Sequence, residues 1–354
     1  MRRENSIEAL SAFFAAGIMA GSLVGNNSAG WVLAIAAPLL ALPFFFRPIF
    51  PKTIAQALPL LFLCTGLFCA MTSSLPTAGA DGPITEFAGT ASRWLKTLIG
   101  SMPFESSTTA PLLSALLTGD RSLLSAEVKS VFRESGASHL LALSGLHMGI
   151  LYMIFDKLTV PLGKSPSARM IRYVLIVSAA FFFTLMSGAS PSLVRAFLFI
   201  SINETLRILR RPRKASRVLC LALLIQLAVD PSAIGSIGFQ LSYLAMAGIV
   251  LLYPIMERWY PESPGILPKI WKTAALSISC QAFTAPLVWI RFHTFPRHFI
   301  ITNLLAIPVT TLLMGSAVIC ITAWGAGIHW DFLIKTTDGL CRLLIYILEI
   351  ISSM

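Results

Sequence analysis

The chain has 354 residues, of which 56% are hydrophobic and only 12% are charged, and its mean hydropathy is +0.77. Soluble domains carry about 25% charged residues, so this composition excludes a water-soluble globular protein. The formal net charge of +11 comes from 27 Lys and Arg residues against 16 Asp and Glu residues. An excess of basic residues is typical of membrane proteins, whose cytoplasmic loops are rich in Lys and Arg.

Apolar stretches of roughly 20 residues, the length needed to cross a bilayer, recur along the chain. They predict an all-α polytopic integral membrane protein with about 11 transmembrane helices. The first apolar run follows Arg2 and Arg3 and leads at once into further apolar runs, so we interpret it as a membrane anchor and not as a cleaved signal peptide. The predicted spans are residues 9–25, 29–46, 54–71, 137–155, 171–188, 191–209, 216–229, 236–256, 271–290, 299–324 and 332–350.

The basic residues orient these spans. If the N-terminus is cytoplasmic, the densest basic segment, 207–217, falls on the inside, whereas the connections 187–190 and 230–235 fall outside and contain no Lys or Arg. The outer loop 291–298 is an exception to the pattern. The sequence therefore predicts a multi-pass protein of the cell inner or plasma membrane, with the lipid bilayer as a partner. A basic cytosolic face that binds nucleic acid is the alternative interpretation.

Residues 72–135 are not membrane-like. A linker rich in Pro, Gly and Thr is followed by stretches with the pattern of short amphipathic helices, and we expect these helices to lie on the extracytoplasmic side. Val128 and Phe132 share one face of the last such helix. This segment separates N-terminal transmembrane helices over 1–71 from a transmembrane core over 136–354.

The stretch SGASHLLALSGLHMGI, residues 135–150, places His139, Ser144 and His147 in a predicted membrane helix. Polar groups in hydrocarbon are costly, so they mark a hydrated pathway or a contact between helices. Counted at about 1.5 Å per residue from the outer surface, His139 lies near the mouth of such a pathway, and Ser144 and His147 lie near the bilayer middle. Their spacing of three residues predicts a shared helix face.

Other predicted spans that enter from the outside carry a polar side chain at a depth similar to that of His139. Arg195 is the most distinctive of these residues, because a guanidinium that faces water is well suited to bind phosphate. The alternative is that Arg195 is an anchor whose side chain extends to the lipid head groups. The remaining polar residues could line a substrate path, or they could instead cap helices or form hydrogen bonds between helices. The candidate residues of a substrate path are His139, Ser144, His147, Arg195, Gln240, Ser242 and Asn303.

Gly145 and Gly149 form a G-x-x-x-G pair, which predicts close approach of another helix. We predict no metal site, because His139 and His147 would differ by about 80° and 12 Å on one helix. The six cysteines show no metal-ligand spacing. The sequence predicts neither a catalytic residue nor a cofactor, and hence no enzyme.

The run ALLTGDRSLLSAEVKSVFRESGASHLLALSGLHMGI, residues 115–150, resembles the ComEC family of natural transformation. Residues 187–199 and 230–249 match the same family in the same order, and residues 285–313 match more weakly. The resemblance implies a channel that passes single-stranded DNA across the inner membrane. It also implies two protein partners, an extracytoplasmic DNA receptor and a cytosolic translocation motor.

Full-length members of that family add an OB-like domain and often a metallo-β-lactamase-like domain. Here the 72–110 segment is too short for an OB barrel and no H-x-H-x-D-H motif occurs, so we expect only the membrane channel domain. The alternative function is a secondary transporter of a small polar or anionic solute, although such carriers usually contain inverted repeats and none is evident. A scaffold without transport activity is a third hypothesis.

Overall fold

The computed structural model describes residues 7–24, 62–63, 65–66, 70, 83–163, 165–259, 265, 267–293 and 298–354. Within these residues the chain forms helices and no strands, which agrees with the predicted all-α class. The helices, numbered in chain order, are α1 Ile7–Val24, α2 Pro83–Gly100, α3 Thr109–Thr118, α4 Ala126–Glu134, α5 Ser138–Leu141, α6 Gly145–Leu158, α7 Pro166–Met186, α8 Pro191–Ile208, α9 Ala215–Val229, α10 Ile237–Leu251, α11 Tyr253–Glu257, α12 Leu267–Phe292, α13 Phe299–Gly325 and α14 Asp331–Ser352.

Among the described residues, four helical stretches are long and apolar enough to cross a membrane. They are Pro166–Met186, Ile237–Glu257, Leu267–Phe292 and Phe299–Gly325. The predicted count of about 11 spans is therefore not confirmed. Helices α1 and α9 are apolar but shorter. The predicted spans 29–46 and most of 54–71 lie outside the described residues.

Helix boundaries follow local sequence signals. Ser165 accepts a hydrogen bond from the backbone N–H of Ala168 and so caps α7, which starts with Pro166. Ser125 caps α4 in the same way. Helix α3 ends at Gly119, whose φ of 81° lies in the left-handed region that favours glycine.

The chain divides into two compact units. The first comprises Met1–Ala80 and Ser201–Tyr243. In its described part α1 packs against α9, and a small core forms from Phe14, Ile18, Leu227, Ala233 and Phe239.

The second unit comprises Asp81–Ile200 and Leu244–Met354 and contains the larger core, built by α2 to α6 together with α13 and α14. Helix α4 buries Val128 and Phe132 as predicted. The prediction of a one-sided amphipathic helix is wrong for α3, where eight of ten residues are buried. Its neighbours α2, α5, α13 and α14 cover the helix on several sides.

A buried carboxylate joins α14 to the segment before α3. Asp338 is 1% exposed and accepts hydrogen bonds from Thr109 Oγ1 at 2.6 Å and from the backbone N–H of Ser106 at 3.2 Å. Arg342 donates to Asp338 through Nε at 2.8 Å and to Glu105 through Nη2 at 2.7 Å. These bonds satisfy the carboxylate, which makes its burial tolerable. Asp338 was not identified from the sequence.

Candidate functional site

The segment predicted as one helix over 137–155 is interrupted. Helix α5 ends at Leu141, Ala142 and Ser144 have extended backbone, and α6 starts at Gly145. The prediction of a continuous helix was wrong because Ser144 acts as an N-cap. Its hydroxyl accepts a hydrogen bond from the Leu146 backbone N–H at 3.3 Å. The depth count at 1.5 Å per residue therefore fails beyond Leu141.

The interruption is stabilised by the segment that follows α3. Arg121 Nε donates to the carbonyl of Leu141, at the end of α5, at 3.1 Å. Next to it, Lys96 pairs with Asp120 at 2.5 Å. The hydrogen bond from Lys96 holds the pKa of the Asp120 carboxyl well below its usual value. The pair is therefore ionised at neutral pH and anchors the loop to α2.

Ser144 and His147 form a capping box at the start of α6. The backbone N–H of Ser144 donates to His147 Nδ1 at 3.3 Å, and Ser144 Oγ lies 3.2 Å from the same nitrogen. Both residues thus lie close together, as their spacing predicted, although they cap a helix end and do not line a continuous helix. Since Nδ1 accepts, we assign the proton of the neutral ring to Nε2.

The Nε2 atom of His147 has no hydrogen-bond partner among the described residues, and the residue is only 1% exposed. An imidazole N–H buried in this way loses hydration that no protein group replaces. The position is therefore suited to a water molecule or a ligand that supplies an acceptor.

Arg195 lies against the same end of α6. Its side chain is buried, with 8% exposed, and its Nη2 would be 3.5 Å from a Cβ atom on Gly145. Its charge also lies near the thiol of Cys280 on α12. A snorkelling arginine would extend towards head groups, whereas this guanidinium lies beside the first residue of a helix.

His139 and Asn303 are neighbours, as expected if they lie at a similar depth. Nδ1 of His139 lies 3.1 Å from the carbonyl of Gly136, and its ring lies beside the Asn303 side chain. Asn303 donates through Nδ2 to Ser277 Oγ at 3.1 Å. Its Oδ1 is buried without a partner in the described structure. His139 itself is exposed.

Gln240 and Ser242 belong to the first unit. Gln240 donates through Nε2 to the carbonyl of Ile234 at 2.8 Å, which closes the turn before α10. Ser242 is buried. A structural role for Gln240 was the alternative to a role in the substrate path, and this hydrogen bond agrees with the structural role.

Close helix contact occurs elsewhere than predicted. A Cβ on Gly149 would meet nothing within 4 Å, and the neighbour of Gly145 is the Arg195 side chain, not a helix backbone. A Cβ on Gly248 of α10 would instead lie 2.1 Å from the carbonyl oxygen of Ser279 on α12. The absence of a side chain at Gly248 therefore lets the backbones of α10 and α12 touch at Ser279.

Sequence reasoning missed several polar groups in the second unit. Within the described residues, further buried side-chain atoms lack hydrogen-bond partners: Ser187 Oγ, Ser190 Oγ, Gln281 Nε2 and Thr310 Oγ1. Gln281 follows Ser277 by one helical turn on α12, so the two share a face. The usable signal was the occurrence of polar residues within apolar helices.

No group of three or more His, Cys, Asp or Glu side chains in the described part of the chain is arranged to hold a metal ion. Polar side chains of the second unit lie within apolar helices, among them His147 on α6, Gln281 on α12 and Asn303 on α13. An unpaired buried polar atom of this kind gains a hydrogen bond when a water molecule or a polar solute reaches it.

Comparisons with known proteins agree with the earlier resemblance. The chain is 26% identical over 200 residues to ComE operon protein 3 of Bacillus subtilis, covering 56% of this chain and 24% of that protein. It is 25% identical over 244 residues to Recombination protein 2 of Haemophilus influenzae, covering 66% of this chain and 31% of that protein. It is also 26% identical over 203 residues to the uncharacterized protein YcaI of Escherichia coli, covering 55% and 26%.

The chain thus spans about a quarter to a third of the length of these curated relatives. No solved structure matches it. The family described as Competence protein matches residues 116–354, a range that includes α6, α8, α12 and α13. This match confirms the resemblance to ComEC, and the chain belongs to the Competence protein family.

Proposed function

We propose that this chain is the membrane channel core through which single-stranded DNA is taken up across the inner membrane in natural transformation. The observation that carries the proposal is the set of buried, unpaired polar atoms on apolar helices within the family-matched range. Similarity to ComE operon protein 3 supports the same role. The alternative, a secondary transporter, has no comparable support.

The proposed path is lined in the second unit by His139, Ser144, His147, Arg195 and Asn303. Water in this path would hydrogen-bond to His147 Nε2, for which the described residues provide no acceptor. The role is passage of a strand without a chemical step, so neither a catalytic residue nor a cofactor is required. Gln240 and Ser242 remain path candidates from the sequence alone.

We further propose a multi-pass inner-membrane protein with a cytoplasmic N-terminus. An extracytoplasmic DNA receptor and a cytosolic translocation motor would be its partners. The outer receptor would deliver the strand, and the motor would supply the energy that a passive path lacks. These partners come from the family resemblance.

The test is transformation frequency in a strain that lacks the gene, complemented by wild type or by single variants at matched membrane-inserted protein level. Deletion should abolish transformation, and Arg195→Leu should reduce it at least about tenfold, since a charge facing the strand is lost. Arg213→Leu is the matched control, because Arg213 is exposed on the α8–α9 loop. Normal transformation in the deletion strain would reject the proposed function.

A further inference from the structure

We infer that α2 crosses the membrane and that its polar face lines a water-filled path. The polar face consists of Glu86, Thr90, Arg93 and Thr97, which are exposed and spaced at i, i+4, i+7 and i+11. This spacing places all four side chains on one side of the helix. The position of α2 and the water beside it do not depend on which solute the path carries.

Helix α13 provides a scale for depth in the second unit. It is one of the stretches that are long and apolar enough to cross a membrane. One side of it exposes Ile301, Leu305, Leu312 and Ile319. This apolar row is about 27 Å long, at about 1.5 Å per residue. Its length fits the hydrocarbon layer, which is about 30 Å thick, so α13 runs across that layer.

The segment 101–135 contacts both ends of α13. Near the start of α13, Thr302 Oγ1 donates to the carbonyl of Ser135 at 2.6 Å. Near its end, Trp324 Nε1 donates to Ser101 Oγ at 3.3 Å. The rise along α13 between Thr302 and Trp324 is about 33 Å. Ser101 and Ser135 therefore lie at opposite faces of the membrane, although the sequence pattern placed this whole segment outside.

Helix α2 runs across the same depth. Near its end, Leu98 Cδ2 would be 3.6 Å from a Cβ atom on Gly325, the last residue of α13. Near its start, the centroid of the Phe87 ring lies 5.8 Å from that of Phe182, close to the end of α7. Helices α7 and α13 end at opposite faces in the predicted topology. The 18 residues of α2 span about 27 Å, which is enough to connect the two faces.

The polar face of α2 lies within this depth. Counted from Leu98, Arg93 lies about 8 Å and Thr90 about 12 Å into the hydrocarbon layer. Arg93 Nη2 donates to Thr90 Oγ1 at 3.1 Å, so the guanidinium points towards the bilayer middle. An arginine that extended to the nearer lipid head groups would point the other way. An exposed charge at this depth is unfavourable in hydrocarbon and is solvated by water.

A second charged group lies beside the polar face. Lys96 of α2 pairs with Asp120 at 2.5 Å, and each side chain is 32% exposed. An ammonium group has three donors, and hydrocarbon offers no acceptor to those that the carboxylate leaves unbound. The ion pair and the polar face therefore both indicate water along this side of α2.

Membrane sidedness tests the crossing. In a background free of the six native cysteines, Ser107→Cys and Lys129→Cys each place one thiol at an exposed position. Position 107 lies between α2 and α3, and position 129 lies on α4. An impermeant thiol reagent should modify position 129 in intact cells and position 107 only in inverted membrane vesicles. Modification of both positions from the same side would overturn the inference.

Spin-label accessibility tests the water. The full chain in nanodiscs would carry one nitroxide, on Thr90→Cys or on Thr97→Cys. The matched control is Ile319→Cys, on the apolar side of α13 and about 9 Å from its end, a depth similar to that of Thr90. A water-soluble nickel chelate should collide severalfold more often with the labels at 90 and 97 than with the label at 319, because polar solutes are excluded from hydrocarbon. Molecular oxygen, which dissolves in lipid, should show the opposite preference.

Two other results would each overturn the inference. A preference for oxygen at positions 90 and 97 would place the polar face in lipid. Low collision rates with both reagents would place a second copy of the chain or another protein surface against α2. Neither measurement uses DNA, so failure of the water-filled path is distinguishable from failure of the proposed function.

Discussion

Gly119 and Leu143 pack so closely that a Cβ atom on Gly119 would lie 2.6 Å from Leu143 Cδ1. Gly119 ends α3, and Leu143 lies in the interruption between α5 and α6. Because Gly119 has no side chain, the Leu143 side chain can occupy the space beside it. This contact, with Arg121 bound to the Leu141 carbonyl, fixes the backbone just before Ser144.

Gly119→Ala should destabilise the protein by two separable effects. The left-handed backbone costs about 1 kcal/mol with a Cβ, and the collision with Leu143 adds about 1–3 kcal/mol of overpacking. Gly327→Ala is the control, since Gly327 follows the end of α13 with a similar φ of 79° but has no neighbour within 4 Å. Thermal unfolding in detergent should show a clearly larger loss for Gly119→Ala, and equal losses would contradict the packing argument.

Gly248→Ala should disrupt the packing of α10 on α12. The new Cβ would lie 2.1 Å from the Ser279 carbonyl oxygen, which is backbone and cannot move aside alone. We expect a loss of about 3 kcal/mol, at the upper end for overpacking. Gly238→Ala, on the same helix with nothing within 4 Å, should change stability by less than about 1 kcal/mol. Similar melting temperatures for the two variants would argue against the close approach.

Asp338→Ala should cost about 2 kcal/mol, because it leaves the buried Thr109 hydroxyl and the Ser106 N–H without their acceptor. The comparison variant is Glu257→Ala, which removes an ion pair with Lys272. The Glu257 side chain is 37% exposed and the Lys272 side chain is 50% exposed. Exposed pairs contribute about 0–1 kcal/mol. Chemical unfolding of both variants in the same detergent measures the difference, and an equal effect would show that Asp338 is not an anchor.

Cysteine at position 144 or 147 should react with small water-soluble thiol reagents in a background free of the six native cysteines. Water in the proposed path supports the thiolate that such chemistry requires. Cysteine at position 146 should react much more slowly, because Leu146 packs against the main core. Equal protection of all three positions would favour a dry helix cap over a hydrated path.

The orientation in the membrane is tested by labelling two exposed positions. Cysteine introduced for Arg213, in the basic loop after α8, should be protected from an impermeant reagent added outside, because basic loops remain cytoplasmic. Cysteine introduced for Lys129, exposed on α4, should be modified. Permeabilised cells provide the control for intrinsic reactivity. The reverse pattern would invert the proposed topology.

The features that could be predicted from the sequence are those that depend on residues within a single segment of the chain. Apolar length and N-capping residues act within one segment, so the ends of α7, α8, α12 and α13 lie within about five residues of the predicted spans. The pairing of Ser144 with His147 was also predictable, because three residues separate them whether they share a helix face or a capping box.

Tertiary contacts decided the rest. The interruption after Leu141 is fixed by Gly119 and Arg121, which lie at least twenty residues earlier in the sequence. Burial of α3 on several sides depends on helices from both ends of the second unit. The candidate site combines residues of α6, α8, α12 and α13, so Arg195 lies beside Gly145 only after these helices pack. Sequence periodicity reports the environment of one helix, whereas a site between helices depends on which faces meet.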